Sequence, residues 1–154
     1  MLHVFDTNIF VTLQRKQPID IYPVVWDKMG QLMEDGIIAS SREVYDEITT
    51  AGKDALSDWV KLRKAFFLPT TVEVQLLTRD ILTRHRGLVE GGKKSNSADP
   101  FIIALAKLKN ATVVTEEAKN GSTTAPRIPD VCALEGIDCI DYVTFLRRNA
   151  VSYH

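Results

Sequence analysis

The strongest constraint on the fold is an alternation of short apolar runs with longer segments in which apolar residues recur at helical spacing. Runs at residues 2–5, 37–40 and 112–115 predict strands, and shorter runs at 66–68 and 139–141 predict two more. Strands that alternate with helices form a mainly parallel sheet. Because the carboxyl ends of such strands share one edge, where ligands collect, we expect an α/β fold with its functional site at that edge.

The segments between these runs predict helices and one loop. With 154 residues, the chain has the size of one domain, spanning residues 1–154. The polar segment 87–97, which carries glycines and lysines, is expected to be a loop. The helices are expected at residues 7–15, 21–34, 41–50, 54–64, 72–86, 99–109 and 143–148.

The overall charge does not indicate a nucleic-acid-binding protein. The chain has 19 basic and 20 acidic residues and a formal net charge of −1, so any nucleic-acid site has to be local. No apolar run approaches about 18 residues, and the first apolar run is too short for a signal peptide. We expect a soluble protein of the cytoplasm.

The cysteines and histidines do not favour a zinc or redox site. Cys132 and Cys139 have six residues between them, which fits neither a zinc knuckle nor a redox CxxC pair. His3, His85 and His154 are scattered and offer no paired ligand spacing. We expect the two cysteines to be small buried hydrophobic residues.

Four carboxylates occupy positions from which they can meet at the carboxyl edge of the sheet. Asp6 ends the first predicted strand, and Glu47 lies in the helix after the second. Asp99 opens a helix, and Glu117 follows the strand at 112–115. Mg²⁺ prefers hard oxygen ligands, and two-metal cleavage of a phosphodiester needs several of them in one cleft. These four residues are the candidate catalytic and metal-binding residues.

Two of these acids also have a purely structural interpretation. Asp6 fits the N-cap position of the helix that begins at Thr7. Asp99 fits the first turn of its helix, where a carboxylate complements the helix dipole and Asn96 or Ser97 supplies the cap. From position alone, the two interpretations of Asp6 are equally good, and the structural one is the better for Asp99.

At two places in the sequence, two neighbouring acids are candidates for the same position in the site. Ser40 and Glu43 fit a capping box, which gives Glu43 a structural role and leaves Glu47, on the same helical face, for the site. Glu43 can still help to orient the metal-binding residues without touching the metal itself. Nothing in the sequence decides whether Glu116 or Glu117 faces the site.

The first half of this pattern resembles the PIN domain, a family of nucleases. Asp6, Thr7 and Asn8 are similar to the family's opening motif, a strand that ends in Asp followed by Thr or Ser and by Asn or Ser. Residues 41–48 resemble the family's helix with the second acid. On that match the second acid is Glu47.

The second half of the chain extends the resemblance. Residues 97–106 are similar to the family's Ala-Asp-x-x-Ile-x-Ala-x-Ala helix, with Asp99 as the third acid. Residues 113–117 resemble its strand and Thr-x-Asp segment, although Glu117 stands where Asp is usual. The stretch from residue 127 onward resembles one uncharacterised PIN-like subfamily.

The resemblance implies a three-layer α/β/α domain with a central, mainly parallel twisted sheet, and an endoribonuclease that uses Mg²⁺ or Mn²⁺. Asp6, Glu47 and Asp99 would hold one metal ion, and Glu117 would help to place a second ion or the attacking water. VapC-like toxins of toxin–antitoxin systems belong to this family, which implies an antitoxin partner and a homodimer. The supporting residues of this interpretation are Asn8, Thr115, Glu43 and Glu116.

Substrate contacts and other functions stay open at the level of sequence. Lys93 and Lys94, ahead of Asp99, are candidate phosphate contacts, but a solvated loop explains them equally well. Because Glu replaces Asp at position 117, a catalytically silent PIN-like module that binds RNA or a protein is an alternative. A DNA-directed, structure-specific nuclease is a third, although the chain has no obvious arch or clamp insertion for it.

Overall fold

A five-stranded parallel sheet forms the centre of the structure, which is a computed structural model that describes residues 1–90 and 98–153. The strands of the described part are β1 (His3–Phe5), β2 (Ile38–Ser41), β3 (Phe67–Leu68), β4 (Thr112–Val114) and β5 (Cys139–Ile140). Their order in the sheet is β3-β2-β1-β4-β5, and each neighbouring pair is parallel. The predicted α/β fold with a parallel sheet is confirmed.

Helices flank this sheet. The described ranges contain α1 (Thr7–Lys16), α2 (Pro23–Glu34), α3 (Arg42–Ala51), α4 (Ala55–Lys61), α5 (Val72–Arg84), α6 (Gly87–Glu90), α7 (Asp99–Lys109), α8 (Ile128–Glu135) and α9 (Tyr142–Arg148). Helix α7 packs across β1, β2 and β4 and against α5 and α8, whereas α1, α3 and α4 contact one another. Within residues 1–90 and 98–153, no helix is long and apolar enough to cross a membrane.

The central strands are buried along their whole length. Val4 of β1 pairs with Val113 of β4, and both side chains are 0% exposed. Strands that are covered on both faces read as nearly continuous apolar runs, which explains why the sequence pattern finds them. Cys132 lies in this core and Cys139 packs against it, both as free thiols. The prediction of small buried hydrophobic residues is therefore confirmed for Cys132.

Two helices lie where the sequence patterns predict none. Helix α6 occupies residues 87–90, so the loop prediction is wrong for that part of the segment 87–97. In the first turn of α8, Asp130 Oδ2 accepts a hydrogen bond at 2.9 Å from the backbone N–H of the N-cap residue Arg127. Because α8 has only eight residues and depends on such contacts, its sequence has little apolar periodicity to detect.

A buried carboxylate ties the ends of α5, α7 and α8 together. Glu135, the last residue of α8, has a side chain only 5% exposed and accepts hydrogen bonds from Arg84 Nη2 at 2.7 Å and Lys107 Nζ at 2.8 Å. His85 Nε2 lies 2.8 Å from the same carboxylate. Hydrogen bonds from Arg84, Lys107 and His85 hold the pKa of Glu135 well below its ordinary value. The cluster joins the C-terminal ends of α5, α7 and α8, and it lies at the opposite end of α7 from Asp99.

Candidate active site

Asp6 stands at the carboxyl end of β1 and is 1% exposed. Its backbone N–H donates to Val114 O at 3.0 Å, which continues the pairing with β4. Asp6 Oδ1 accepts from Thr7 N at 2.7 Å, and Oδ2 accepts from Thr115 Oγ1 at 2.8 Å. Asp6 is therefore the N-cap of α1, as its structural interpretation expects, and its second oxygen is held by a residue of the neighbouring strand end.

Thr115 is the hub of the hydrogen bonds at this edge. Its side chain is buried, and its Oγ1 accepts from Asn8 Nδ2 and from Glu117 N, both at 3.2 Å, while it donates to Asp6. Asn8 Oδ1 in turn accepts from Glu116 N at 3.2 Å. The start of α1 and the chain that leaves β4 are thus joined through two side chains, Asn8 and Thr115.

Glu47 of α3 bridges two segments of the site. Its Oε2 accepts from Thr7 Oγ1 at 2.6 Å, and its Oε1 accepts from Ala98 N at 3.1 Å. Those donors directly follow Asp6 and directly precede Asp99. The sequence contains Thr7 in its opening motif, but nothing there indicates that this hydroxyl contacts an acid on another helix.

Asp99 is the first residue of α7 and is only 7% exposed. Its Oδ1 has no hydrogen-bond partner among the described residues. Burial raises the pKa of Asp99 to about 9, and the negative charges of Asp6, Glu117 and Glu47 add to the rise. A carboxylate that merely complemented a helix dipole would be favoured in its charged form. The helix-dipole interpretation therefore does not account for the environment of Asp99.

The four acids act on one another electrostatically. Burial raises the pKa of Asp6 to about 7, and the charges of Glu117 and Glu47 contribute, although the hydrogen bond from Thr115 opposes the rise. The same two glutamates raise the pKa of Asp99. The structure thus places Asp6, Glu47, Asp99 and Glu117 near one another at the carboxyl edge.

The two neighbouring glutamates after β4 point to different places. Glu117 Oε2 accepts from Ile128 N at 3.1 Å, at the start of α8, and Glu117 is close enough to act on Asp6. Glu116 is exposed, and its Oε1 accepts from Tyr142 N at 3.0 Å, at the start of α9. Of the two, Glu117 faces the other acids.

Glu43 does not form the predicted capping box. The N-cap of α3 is Ser41, whose Oγ accepts from Val44 N at 3.3 Å. Glu43 instead accepts a hydrogen bond from the Thr70 hydroxyl. Ser40, the predicted cap, belongs to β2 and donates to the backbone of β1, so the capping-box prediction is wrong.

Five residues named from the sequence lie outside the described residues. They are the candidate phosphate contacts Lys93 and Lys94, the candidate caps Asn96 and Ser97, and His154. The described part gives Ala98 as the N-cap of α7, with no side-chain cap bond there.

Comparisons with known proteins place the chain in a family. The model described as "Domain of unknown function (DUF4411)" matches residues 3–153. The chain belongs to the DUF4411 family. No curated protein matches it.

The fold of this DUF4411 protein also occurs in a solved structure. It is similar to a chain in the crystal structure of VapBC2 from Rickettsia felis bound to a DNA fragment from their promoter, with a TM-score of 0.58 and 18% sequence identity. The match covers 92% of this chain and 99% of that chain. At this identity the similarity shows the fold, which is PIN-like, with helices on a parallel sheet.

The donor chemistry of the DUF4411 site fits a divalent metal ion. The candidate ligands are carboxylates, which Mg²⁺ and Mn²⁺ favour, and burial beside like charges raises the pKa of Asp6 and Asp99. A bound cation stabilises charged carboxylates, so it offsets both the cost of burial and the repulsion between like charges. Among the described residues, no three acidic, histidine or cysteine side chains already stand in a metal-binding arrangement. Thr7, Thr115 and Ile128 already donate hydrogen bonds to Glu47, Asp6 and Glu117.

Proposed function

We propose that this DUF4411 protein is a metal-dependent endoribonuclease that hydrolyses phosphodiester bonds of RNA. The observation that carries the proposal is the placement of four acids, Asp6, Glu47, Asp99 and Glu117, at the carboxyl edge of a PIN-like sheet, where two of them have raised pKa values. Buried acids with perturbed pKa values in one cleft are typical of functional sites. The family description assigns no activity, so the site itself carries the argument.

Each acid has a role in this proposal. Asp6, Glu47 and Asp99 would hold Mg²⁺ or Mn²⁺, and Glu117 would help to place a second ion or the attacking water. When bound, the metal would lower the pKa of water and offset the charge that grows on the phosphoryl oxygens. Glu117 itself is oriented by the backbone N–H of Ile128.

The supporting residues act by holding these carboxylates. Thr115 donates to Asp6, and Asn8 donates to Thr115. Thr7 donates to Glu47 and joins the supporting set. We assign no catalytic role to Glu43 or Glu116, whose carboxylates accept hydrogen bonds elsewhere. Lys93 and Lys94 stay candidate phosphate contacts.

We further propose that the protein is the toxin of a type II toxin–antitoxin system, a single PIN-like domain over residues 1–154. The similarity to a chain of VapBC2, a structure that contains promoter DNA, supports this part of the proposal. Its partners would be an RNA substrate, an antitoxin protein and a second copy of the chain, in the cytoplasm.

The test is cleavage of a structured RNA pool by purified protein with Mn²⁺ or Mg²⁺. The variants Asp6→Asn and Asp99→Asn should lose cleavage, and EDTA should abolish it in the wild type. Asp20→Asn, which removes an exposed carboxylate elsewhere, is the matched control and should cleave normally. Equal activity in all variants would reveal a contaminating nuclease and contradict the proposal.

A catalytically silent binding module is the second candidate. It is favoured by Glu117, because a carboxylate that caps α8 has a structural role in the fold. RNA binding without cleavage by the wild type, with either metal, would support the module and reject the nuclease.

A further inference from the structure

A groove of about 520 Å³ lies beside α5, outside the carboxylate site. Its walls come from one face of α5, including Gln75, Arg79 and Leu82, from Arg86 in the turn after α5, and from Phe101 of α7. Phe101 is half-buried against the core and gives the groove an apolar wall. No hydrogen bond or ion pair of the acids at the strand ends involves these residues.

The groove carries positive charge that is not paired with any acid in the part of the chain that the structure describes. Arg79 and Arg86 are exposed, and neither forms an ion pair or a side-chain hydrogen bond with any described residue. No carboxylate is among the described residues that line the groove. Arg84, the last residue of α5, differs, because Glu135 binds it. In a chain of net charge −1, this pair of free guanidinium groups is a local basic site.

Two arginines on the wall of one groove suit an anion with more than one charged group. Arg79 lies on α5, Arg86 lies in the turn that follows α5, and both line the groove. A guanidinium group binds phosphate oxygens in a planar, bidentate way. Two such groups on one groove match the repeating charge of a nucleic-acid backbone better than they match a single acidic side chain.

The position of the groove limits which part of a substrate could reach it. Phe101 follows Asp99 by two residues, about 3 Å further along α7, but two residues turn a helix by about 200°. The groove and the carboxylates therefore lie on opposite sides of the start of α7. A phosphate in the groove is not the one that is cleaved.

We propose that this groove binds the sugar-phosphate backbone of a single-stranded RNA segment that flanks the cleavage position, through Arg79 and Arg86. The choice of RNA rests on the proposed function. The contact is to the backbone, so it adds affinity for strands of any sequence that extend past the carboxylate site.

The test is RNA binding without cleavage. Full-length protein with Asp99→Asn is titrated onto a labelled single-stranded RNA of roughly 12 nucleotides, and fluorescence anisotropy is recorded over a range of salt. Adding Arg79→Gln and Arg86→Gln should weaken binding at least tenfold at low salt. The slope of log affinity against log salt should fall by about 1.4, since each phosphate contact on a single strand contributes about 0.7.

Arg15→Gln with Arg147→Gln is the matched control, because it removes two exposed arginines elsewhere. It should leave the slope unchanged. Each single substitution, Arg79→Gln or Arg86→Gln, should lower the slope by about half as much, which covers the case that the double variant misfolds.

Two results would overturn the inference. One is a loss of affinity no larger than in the control, or no RNA binding by the parent protein. The other is a change of oligomeric state in analytical ultracentrifugation with unchanged RNA affinity, which would make the groove a protein contact. RNA cleavage by the wild type is measured separately, so failure of the nuclease proposal and failure of the groove can be told apart.

Discussion

Removing the Thr115 hydroxyl should impair the site while leaving the fold intact. Thr115→Val replaces the hydroxyl with a methyl group, so Asp6 Oδ2 loses the donor that lies 2.8 Å away. A hydrogen bond to a charged group is worth about 1.5–3 kcal/mol. Loss of a residue that orients a metal ligand typically costs about 10–100-fold in activity. The two scales agree, since those factors correspond to about 1.4–2.7 kcal/mol.

The assay is the initial rate of Mn²⁺-dependent cleavage, at low substrate, of an RNA that the wild type cuts. We expect kcat/KM of Thr115→Val to fall about 10–100-fold. Thr115→Ser keeps the hydroxyl and should stay close to the wild type. Thr112→Val is the matched control, because Thr112 is equally buried and its hydroxyl donates to Asp138 Oδ2 at the opposite end of β4.

Two outcomes would refute this reasoning. One is a wild-type rate for Thr115→Val. The other is an equal loss for Thr112→Val, which would mean that any buried hydroxyl matters. Melting temperatures of all three variants separate a defect of the site from unfolding.

Three further substitutions have expected outcomes. Glu135→Gln should destabilise the protein by about 1–3 kcal/mol in urea at pH 7, because the basic groups lose a charged acceptor. Since the pKa of Glu135 is lowered, the stability difference between wild type and variant should shrink as the pH falls below 4.5, the ordinary pKa of a glutamate. A stability difference that becomes larger in acid would contradict this. Thr7→Val should slow cleavage about 10–100-fold because Glu47 loses a donor, and Thr7→Ser should not. Gly87→Ala should lower the melting temperature, because an added Cβ would meet Thr124 O at 1.9 Å, and an unchanged temperature would contradict this.

The parts of the fold with a local signal are predictable from sequence. The helix predicted at 99–109 coincides with α7, and the buried strands β1 and β4 lie within the runs that predict them. Such segments carry their pattern in their own residues. Helix α8 does not, because its first N–H is bound by Glu117, eleven residues earlier.

One part of the candidate site is predictable and the other part is not. The meeting of Asp6 with the chain after β4 follows from strand order, because neighbouring parallel strands end at one edge. The hydrogen bond between Thr7 and Glu47 joins residues that are 40 positions apart, and no local pattern reports it. The choice between Glu116 and Glu117 likewise depends on the helices whose ends they cap.

Equilibrium binding of Mn²⁺, followed by the electron paramagnetic resonance signal of the free ion, tests most directly whether these acids form a metal site, because it needs no RNA substrate. We predict saturable binding by the EDTA-treated and dialysed wild type and binding weaker by at least about tenfold in Asp99→Asn. Asp20→Asn should bind like the wild type. No binding by the wild type, or equal binding by all three proteins, would contradict the proposed metal site.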